Sequence, residues 1–287
     1  MHDQHNCLLN IERLEQRRLM AGDVSVDVTG GGDLVLNGDN AGNELAIIST
    51  GIPGRFEIQG QNGTTIEGQQ SVTVNGVFDD IRINLRDGDN AVMLTGVDAD
   101  GTENPFDVDD VRFTARNGND VLMLQRVNLA GQLRASMGNG QNAVGVKEAS
   151  VESLRVRGGN DEDVFLAWEA NVERTSDINL RGGDDAFVSL ESTYQDDVRA
   201  RLGSGNDFAA TAGDRFEQDL RLDGQGDFDQ LLQHPGADAS VVVGLNAMTN
   251  FESQSEEAGF TFLSEADQAI EDRIGERYED VFADFIR

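Results

Sequence analysis

One cysteine, three prolines, one tryptophan, two tyrosines and a single lysine, Lys147, stand in 287 residues. Cys7, being alone, excludes an intramolecular disulfide and leaves the redox compartment open. So few prolines leave backbone ladders uninterrupted, while 33 glycines supply turns that need positive φ. Aromatics make up 6% of the chain and hydrophobic residues 38%, which is thin for one wide core but ample for a narrow one. Basic residues are the other shortage: 22 Lys plus Arg against 53 Asp plus Glu give a net charge of −31. That balance excludes nucleic acid and anionic lipid as partners. No apolar run reaches the length of a transmembrane span or of an ordinary secretory signal.

What the chain has is repetition. The stretch "LRGGDDAFVSL" from Leu180 has relatives around Gly38, Gly60, Gly88, Gly118, Gly140, Gly159, Gly183, Gly205 and Gly226. Successive glycines lie 22, 28, 30, 22, 19, 24, 22 and 21 residues apart. A near-constant period with repeating flanks marks a solenoid, whose units bury their apolar faces only by stacking. Ahead of the glycines run alternating segments such as "IRINL" from Ile81, "VRFTA" from Val111 and "VRARL" from Val198. A second alternating run follows each turn. Period two means half-buried strands.

The fold expected is therefore all-β: a single-stranded parallel β-helix of about nine coils, a rod on the order of 40 Å long. A propeller blade needs about twice this repeat length. The longer intervals hold inserted loops, notably Val97–Asp110. Three parts follow: residues 1–22 as a leader, 23–262 as the β-helix, and 263–287 as an amphipathic C-terminal helix. In the last part Ser264 and Asp267 make a capping pair, and Ile270, Ile274, Tyr278, Val281, Phe282 and Phe285 form one apolar stripe. A solenoid end exposes unpaired strand edges, so this helix reads as a cap or as an oligomer contact, with a C-terminal export signal as the rival.

Coils in register stack equivalent turn residues into rows. One expected row is Asp89, Asn119, Gln141, Asn160, Asp184, Asn206 and Asp227; the next is Asn90, Asp120, Asn142, Asp161, Asp185 and Asp207. Acids stacked at strand spacing repel. Three devices offset this: Asn interspersed with Asp, arginines Arg82, Arg112, Arg134, Arg155, Arg199 and Arg221 ahead of the turns, or a hard cation between turns. The stretches "GGNDEDVFL" from Gly158, "RGGDDAFVSL" from Arg181 and "GSGNDFAA" from Gly203 resemble the RTX nonapeptide, whose turns bind Ca²⁺. What the resemblance implies is weak Ca²⁺ sites at Asp89, Asn90, Asn119, Asp120, Asn160, Asp161, Asp184, Asp185, Asn206, Asp207 and Asp227, with dissociation constants on the order of 10⁻⁴ to 10⁻³ M. Here the motif comes once per coil, not every nine residues. Turn chemistry alone is the competing explanation of the same residues.

The N-terminal cluster His2, His5 and Cys7 has metal-ligand spacing but reads as a leader. The following core, Leu14, Glu15, Gln16, Arg17, Arg18, Leu19, Met20 and Ala21, resembles the LEPR-XLL motif of large secreted and surface proteins of planctomycete bacteria, with Gln16 at the usual proline. That resemblance implies an extracellular or cell-envelope location. Physically the segment is a short basic amphipathic helix carrying Leu9, Ile11, Leu14 and Leu19.

The functional expectation is a non-enzymatic, exported structural or adhesion-type solenoid, its partner an extracellular polymer or surface protein. The alternative is a Ca²⁺-dependent polysaccharide lyase or carbohydrate-binding β-helix, which rests on fold analogy. The residues nearest to a lyase constellation are Arg155, Asp161, Asp163 and Trp168. Carboxylates that recur in every coil point to scaffolding, because a catalytic site is singular.

Overall fold

The computed structural model describes residues 22–233, 241–242, 246–251 and 253–256. Within these residues the chain is all-β, and its body is a parallel β-solenoid with three walls. The first wall stacks Leu34–Asn37, Ile81–Arg86, Val111–Ala115, Asn128–Ser136, Ser150–Arg157, Ser176–Gly182, Val198–Ser204, Leu220–Gly226 and Asn246–Thr249, all in parallel. The second wall stacks Glu44–Ser49, Ala91–Thr95, Val121–Gln125, Asn142–Lys147, Asp163–Trp168, Ala186–Leu190, Phe208–Ala212, Gln230–Gln233 and Ser253–Glu256. Two-residue bridges form the third wall, for example Asn171–Val172 on Thr193–Tyr194 on Arg215–Phe216. No helix occurs among the described residues; the helix expected over 263–287 lies outside them, as does the leader expected over 1–22 except for Gly22.

The N-terminal part departs from the expected pattern. Asp23–Val28 pairs antiparallel with Leu34–Asn37, and Arg55–Gly60 and Ser71–Asn75 extend the second wall as an antiparallel meander from Glu44–Ser49. Gly60 therefore lies in a hairpin insertion and not at a solenoid corner. Its "QGQN" imitates the repeat because hairpin turns and solenoid corners draw on the same Gly and Asx chemistry. The Val97–Asp110 insert is pinned by Phe106, fully buried with its ring 4.7 Å from that of Phe56.

The interior is a narrow apolar column. Ile81, Ile83 and Leu85 point inward from the first wall, with Arg82, Asn84 and Arg86 outward, as period two requires. From the second wall come Leu122, Val144, Phe165, Phe187 and Leu231. Aromatics stack along the axis, Phe165 on Phe187 at 5.6 Å and Tyr194 on Phe216 at 5.0 Å. Each such pair is worth about 0.5–1.5 kcal/mol beyond its area. The second wall differs from the expected alternation: Ala186–Leu190 is buried at all five positions, on both faces.

A sharp corner joins the second wall to the third. Arg126, Glu148, Glu169 and Glu191 take φ of 53°, 49°, 49° and 51° there. Each donates its N–H to the next coil, as from Glu148 to the Trp168 carbonyl at 2.9 Å. The left-handed conformation costs roughly 1–2 kcal/mol per residue, which the stacked hydrogen bonds offset.

Candidate functional site: the acid and amide corner

The corner between the first and second walls carries the residues singled out in the sequence. Glycine makes it possible. Gly88, Gly118, Gly140, Gly183 and Gly205 all have positive φ there, and a Cβ on Gly205 would lie 2.0 Å from the Gly183 carbonyl oxygen. The corners thus stack in direct backbone contact.

Just past the glycines lies a buried row. Asn43 donates its N–H to Oδ1 of Asn90 at 3.0 Å, Asn90 to Asp120 at 3.0 Å, Asp120 to Asn142 at 3.0 Å and Asn142 to Asp163 at 3.1 Å. Asp163 continues to Asp185 at 2.7 Å, Asp185 to Asp207 at 2.9 Å and Asp207 to Asp229 at 2.8 Å. Every member is at most 2% exposed. Amides also link along the row: Asn90 Nδ2 donates to Asp120 Oδ1 at 2.7 Å, and Asn142 Nδ2 to Asp163 Oδ1 at 2.8 Å. Steps along the row span 47, 30, 22, 21, 22, 22 and 22 residues, so past the inserts it is more regular than the glycine spacing.

One position nearer the glycine, an exposed row runs with the opposite polarity. Asn119 N–H donates back to Asp89 Oδ1 at 2.8 Å, Gln141 N–H to Asn119 at 3.0 Å, and Asn206 N–H to Asp184 at 2.8 Å. Of the residues expected to act together, Asn90, Asp120, Asp185 and Asp207 fall in the buried row, and Asp89, Asn119, Asp184 and Asn206 in the exposed one. Asn160, Asp161 and Asp227 fall elsewhere. Asn160 joins an amide row with Asn139 and Asn117. Asp161 takes the glycine position, its carbonyl lying against Gly183. Asp227 has φ 67° at the equivalent of Gly205.

The reason is a register shift, of two residues at Asn160 and Asp161 and of one at Asp227. Arg157 pairs with Asn179, so "RGGND" from Arg157 does not overlie "RGGDD" from Arg181. The buried row needs Asn43, Asp163 and Asp229, which glycine alignment missed. The strand that follows would have found them: Asp163-Val-Phe, Asp185-Ala-Phe and Asp207-Phe-Ala begin the second wall in the same way.

Asp163 shows the electrostatic cost of this arrangement. Burial pushes its carboxyl up to about 7, against hydrogen bonds from the Gly159 N–H and from the Asn142 side chain and N–H, which favour the charged form. Oδ1 atoms in the buried row face backbone amides, and these bonds, charge-assisted where the acceptor is an ionised aspartate, hold coil to coil. A hard cation wants six to eight oxygens. The buried row aims its Oδ1 atoms at amides, whereas Asp89, Asp184 and Asn206 of the exposed row stand open to solvent.

A second polar corner lies in the interior, where Ser189 Oγ donates to Asp214 at 2.9 Å and meets Tyr194 Oη at 2.9 Å. Ser192 N–H also donates to Asp214, at 2.8 Å. Burial pushes the Tyr194 phenol up. The group is closed off from solvent.

The outer face of the first wall carries a cationic column. Arg82, Arg112, Arg134 and Arg155 stand in register, then Asp177, then Arg199 and Arg221. Arg155 and Arg201 flank Asp177 at 3.7 and 3.3 Å, and Arg82 bonds Asp33 at 2.6 Å and Asp80 at 2.8 Å. Shallow grooves of about 230 and 300 Å³ lie along this face. Asp33, Asp79 and Asp80 place carboxylate oxygens within 4.8 Å of one another, but Arg82 already compensates two of them.

The lyase constellation does not assemble. Arg155 is on the outside of the first wall, Asp163 is buried at the corner, and Trp168 is at the far end of the second-wall strand, its ring 4.7 Å from Lys147 Nζ. No protein-family model matches the chain, and neither a curated protein nor a solved structure matches it. No helix among the described residues is long and apolar enough to cross a membrane.

Proposed function

We propose that the chain is a non-catalytic structural module of the adhesion type, an acidic rod of about nine coils that works outside the cell or in its envelope. The observation that carries this reading is the buried acid and amide row. The most unusual polar groups of the molecule recur in each coil and spend their Oδ1 atoms on neighbouring amides, which is what a scaffold needs and a singular catalytic centre does not. The resemblance of Leu14–Ala21 to the LEPR-XLL motif supports export. Weak Ca²⁺ binding belongs, in this reading, to the exposed row of Asp89, Asn119, Asp184 and Asn206 alone.

The face offered to a partner is the arginine column. Acids of the chain compensate Arg82, Arg155 and Arg221, while Arg112, Arg134 and Arg199 have no ion pair among the described residues and are the cations left for an anionic group. Carboxylates of Asp80, Asp110, Asp177, Asp197 and Asp219 line the same grooves, so an anionic partner would meet single arginines and not a continuous positive strip. The test is a binding assay with acidic polysaccharide at several salt concentrations, read in parallel for unsaturated uronate products. Salt-sensitive binding without product, weakened in Arg112→Gln with Arg199→Gln, is expected. Product formation overturns the non-catalytic reading.

A further inference from the structure

The two walls end differently at the N-terminal end of the solenoid. The first wall ends around Asp23–Val28, where acidic side chains take up backbone groups of the edge. Val26 donates its N–H to Glu67 Oε1 at 2.6 Å, and Asp23 donates its N–H to Asp39 Oδ2 at 3.2 Å. Charges on an edge are a common guard against pairing with another chain. The second wall ends instead on Ser71–Asn75, the last strand of its sheet. Residues 68–78, "GQQSVTVNGVF", hold neither a charge nor a proline in a chain that is 26% charged. No bulge interrupts the pairing of this strand with Arg55–Gly60. Gly60 donates its N–H to the Gln70 carbonyl at 2.8 Å, which sets the phase of that ladder. Val72 and Val74 therefore bond to Arg55–Gly60, while Ser71, Thr73 and Asn75 turn their N–H and C=O groups away from it. Thr73 and Asn75 are exposed, and these outward groups meet no hydrogen-bonding partner among the described residues.

We infer that this edge pairs with the same edge of a second copy of the chain, antiparallel and about a two-fold axis through Thr73. The strand Ser71–Asn75 is matched to its own reverse. Thr73 stands opposite Thr73 of the second copy, Ser71 opposite Asn75, and Val72 opposite Val74. The outward groups of Ser71, Thr73 and Asn75 fall at the hydrogen-bonded positions of such a ladder, so all of them find partners across the axis. Thr opposite Thr and Val opposite Val are favourable cross-strand pairs, and no like charges meet in spite of the net charge of −31. Of the three exposed large hydrophobic residues among the described ones, two border the Asn75 end of the edge. They are Phe78, 70% exposed with its ring against Gly54, and Ile52, 52% exposed. The two-fold carries each of them to the Ser71 end of the other strand. A contact of this kind is isologous and closes on itself, so association stops at two. The second walls of both copies become one sheet and the rods join end to end. A five-residue edge buries less than a standard interface, so the dimer is weak and depends on concentration.

Sedimentation with amide hydrogen exchange tests this on the full chain without any substitution. The average mass is expected to rise from monomer toward dimer with concentration. Over the same range the Thr73 and Asn75 amides are expected to slow by about ten-fold, while those of Val72 and Val74 stay slow throughout. A chain that remains monomeric at millimolar concentration overturns the inference, as does unchanged exchange at Thr73 in a dimer. Capture of an extended peptide at Thr73 by a chain that never self-associates also overturns it. Two variants separate backbone pairing from side-chain contact. Thr73→Pro removes an N–H that the single chain does not use, and is expected to be monomeric with native circular dichroism. Thr73→Val keeps the backbone and is expected to dimerise as the native chain does. A dimer that survives in Thr73→Pro, or is lost in Thr73→Val, contradicts the pairing. Should Thr73→Pro lose its native spectrum, the exchange result decides.

Discussion

Asn90 donates both its backbone N–H, at 3.0 Å, and its side-chain amide, at 2.7 Å, to the same Oδ1 of Asp120 one coil further on. Beside it the neighbouring row runs backwards, from the Asn119 N–H to Asp89. That junction is thus bonded in both senses, as are those at Gln141 and Asn206, and a slip of register there breaks both rows at once.

A buried acid makes stability depend on pH. Asp163, pushed up to about 7 by burial, binds its proton more tightly folded than unfolded, where an aspartate titrates near 3.9. Its contribution is fully present below about pH 4 and is lost as pH rises through about 7. Asp163→Asn is expected to flatten the dependence of Tm on pH between 4 and 7, measured by thermal melts at matched ionic strength. An unchanged slope would remove Asp163 from the account.

Glycine positions separate space from conformation. Gly205 combines φ +136° with a Cβ site 2.0 Å from a carbonyl, whereas Gly68 has φ +71° and open space. Gly205→Ala is expected to cost about 3 kcal/mol or more, and Gly68→Ala about 1–2 kcal/mol from φ alone. Chemical denaturation checks the order; equal losses would mean that the corners are not in contact.

Calcium has a bounded effect in this account. At five times a millimolar dissociation constant one site contributes about 1 kcal/mol. Melts with Ca²⁺ and with chelator are expected to differ by a few degrees in the native chain and not at all in Asp89→Asn with Asp184→Asn. A shift that survives in that variant would place the cation elsewhere.

The solenoid period and the two-residue alternation of the first wall were legible in the sequence because stacking demands the same side chain at the same corner. Register was less so. At Arg157-Gly158-Gly159 a glycine pair drew the eye two residues away from the corner, since glycine tolerates several places in a turn while the buried Asx tolerates one. The antiparallel meander at Arg55–Asn75 was hidden by turn chemistry common to both architectures. The sealed second wall was visible as unbroken apolar runs, yet alternation set by its interior residues masked the outer face.

The central claim, that coils are held by the buried row and not by the exposed acids, is tested most directly by comparing the Tm of Asn90→Ala with that of Asp89→Ala. Asn90 is neutral and fully buried, so its loss leaves the Asn43 N–H without its acceptor and relieves no buried charge. At about 1–3 kcal/mol for each buried group left unmatched, and roughly 2–4 °C per kcal/mol, Asn90→Ala is predicted to lower Tm by about 5 °C or more. Asp89→Ala is predicted to change it by no more than about 2 °C. Equal shifts, or a larger loss from Asp89→Ala, would contradict the account.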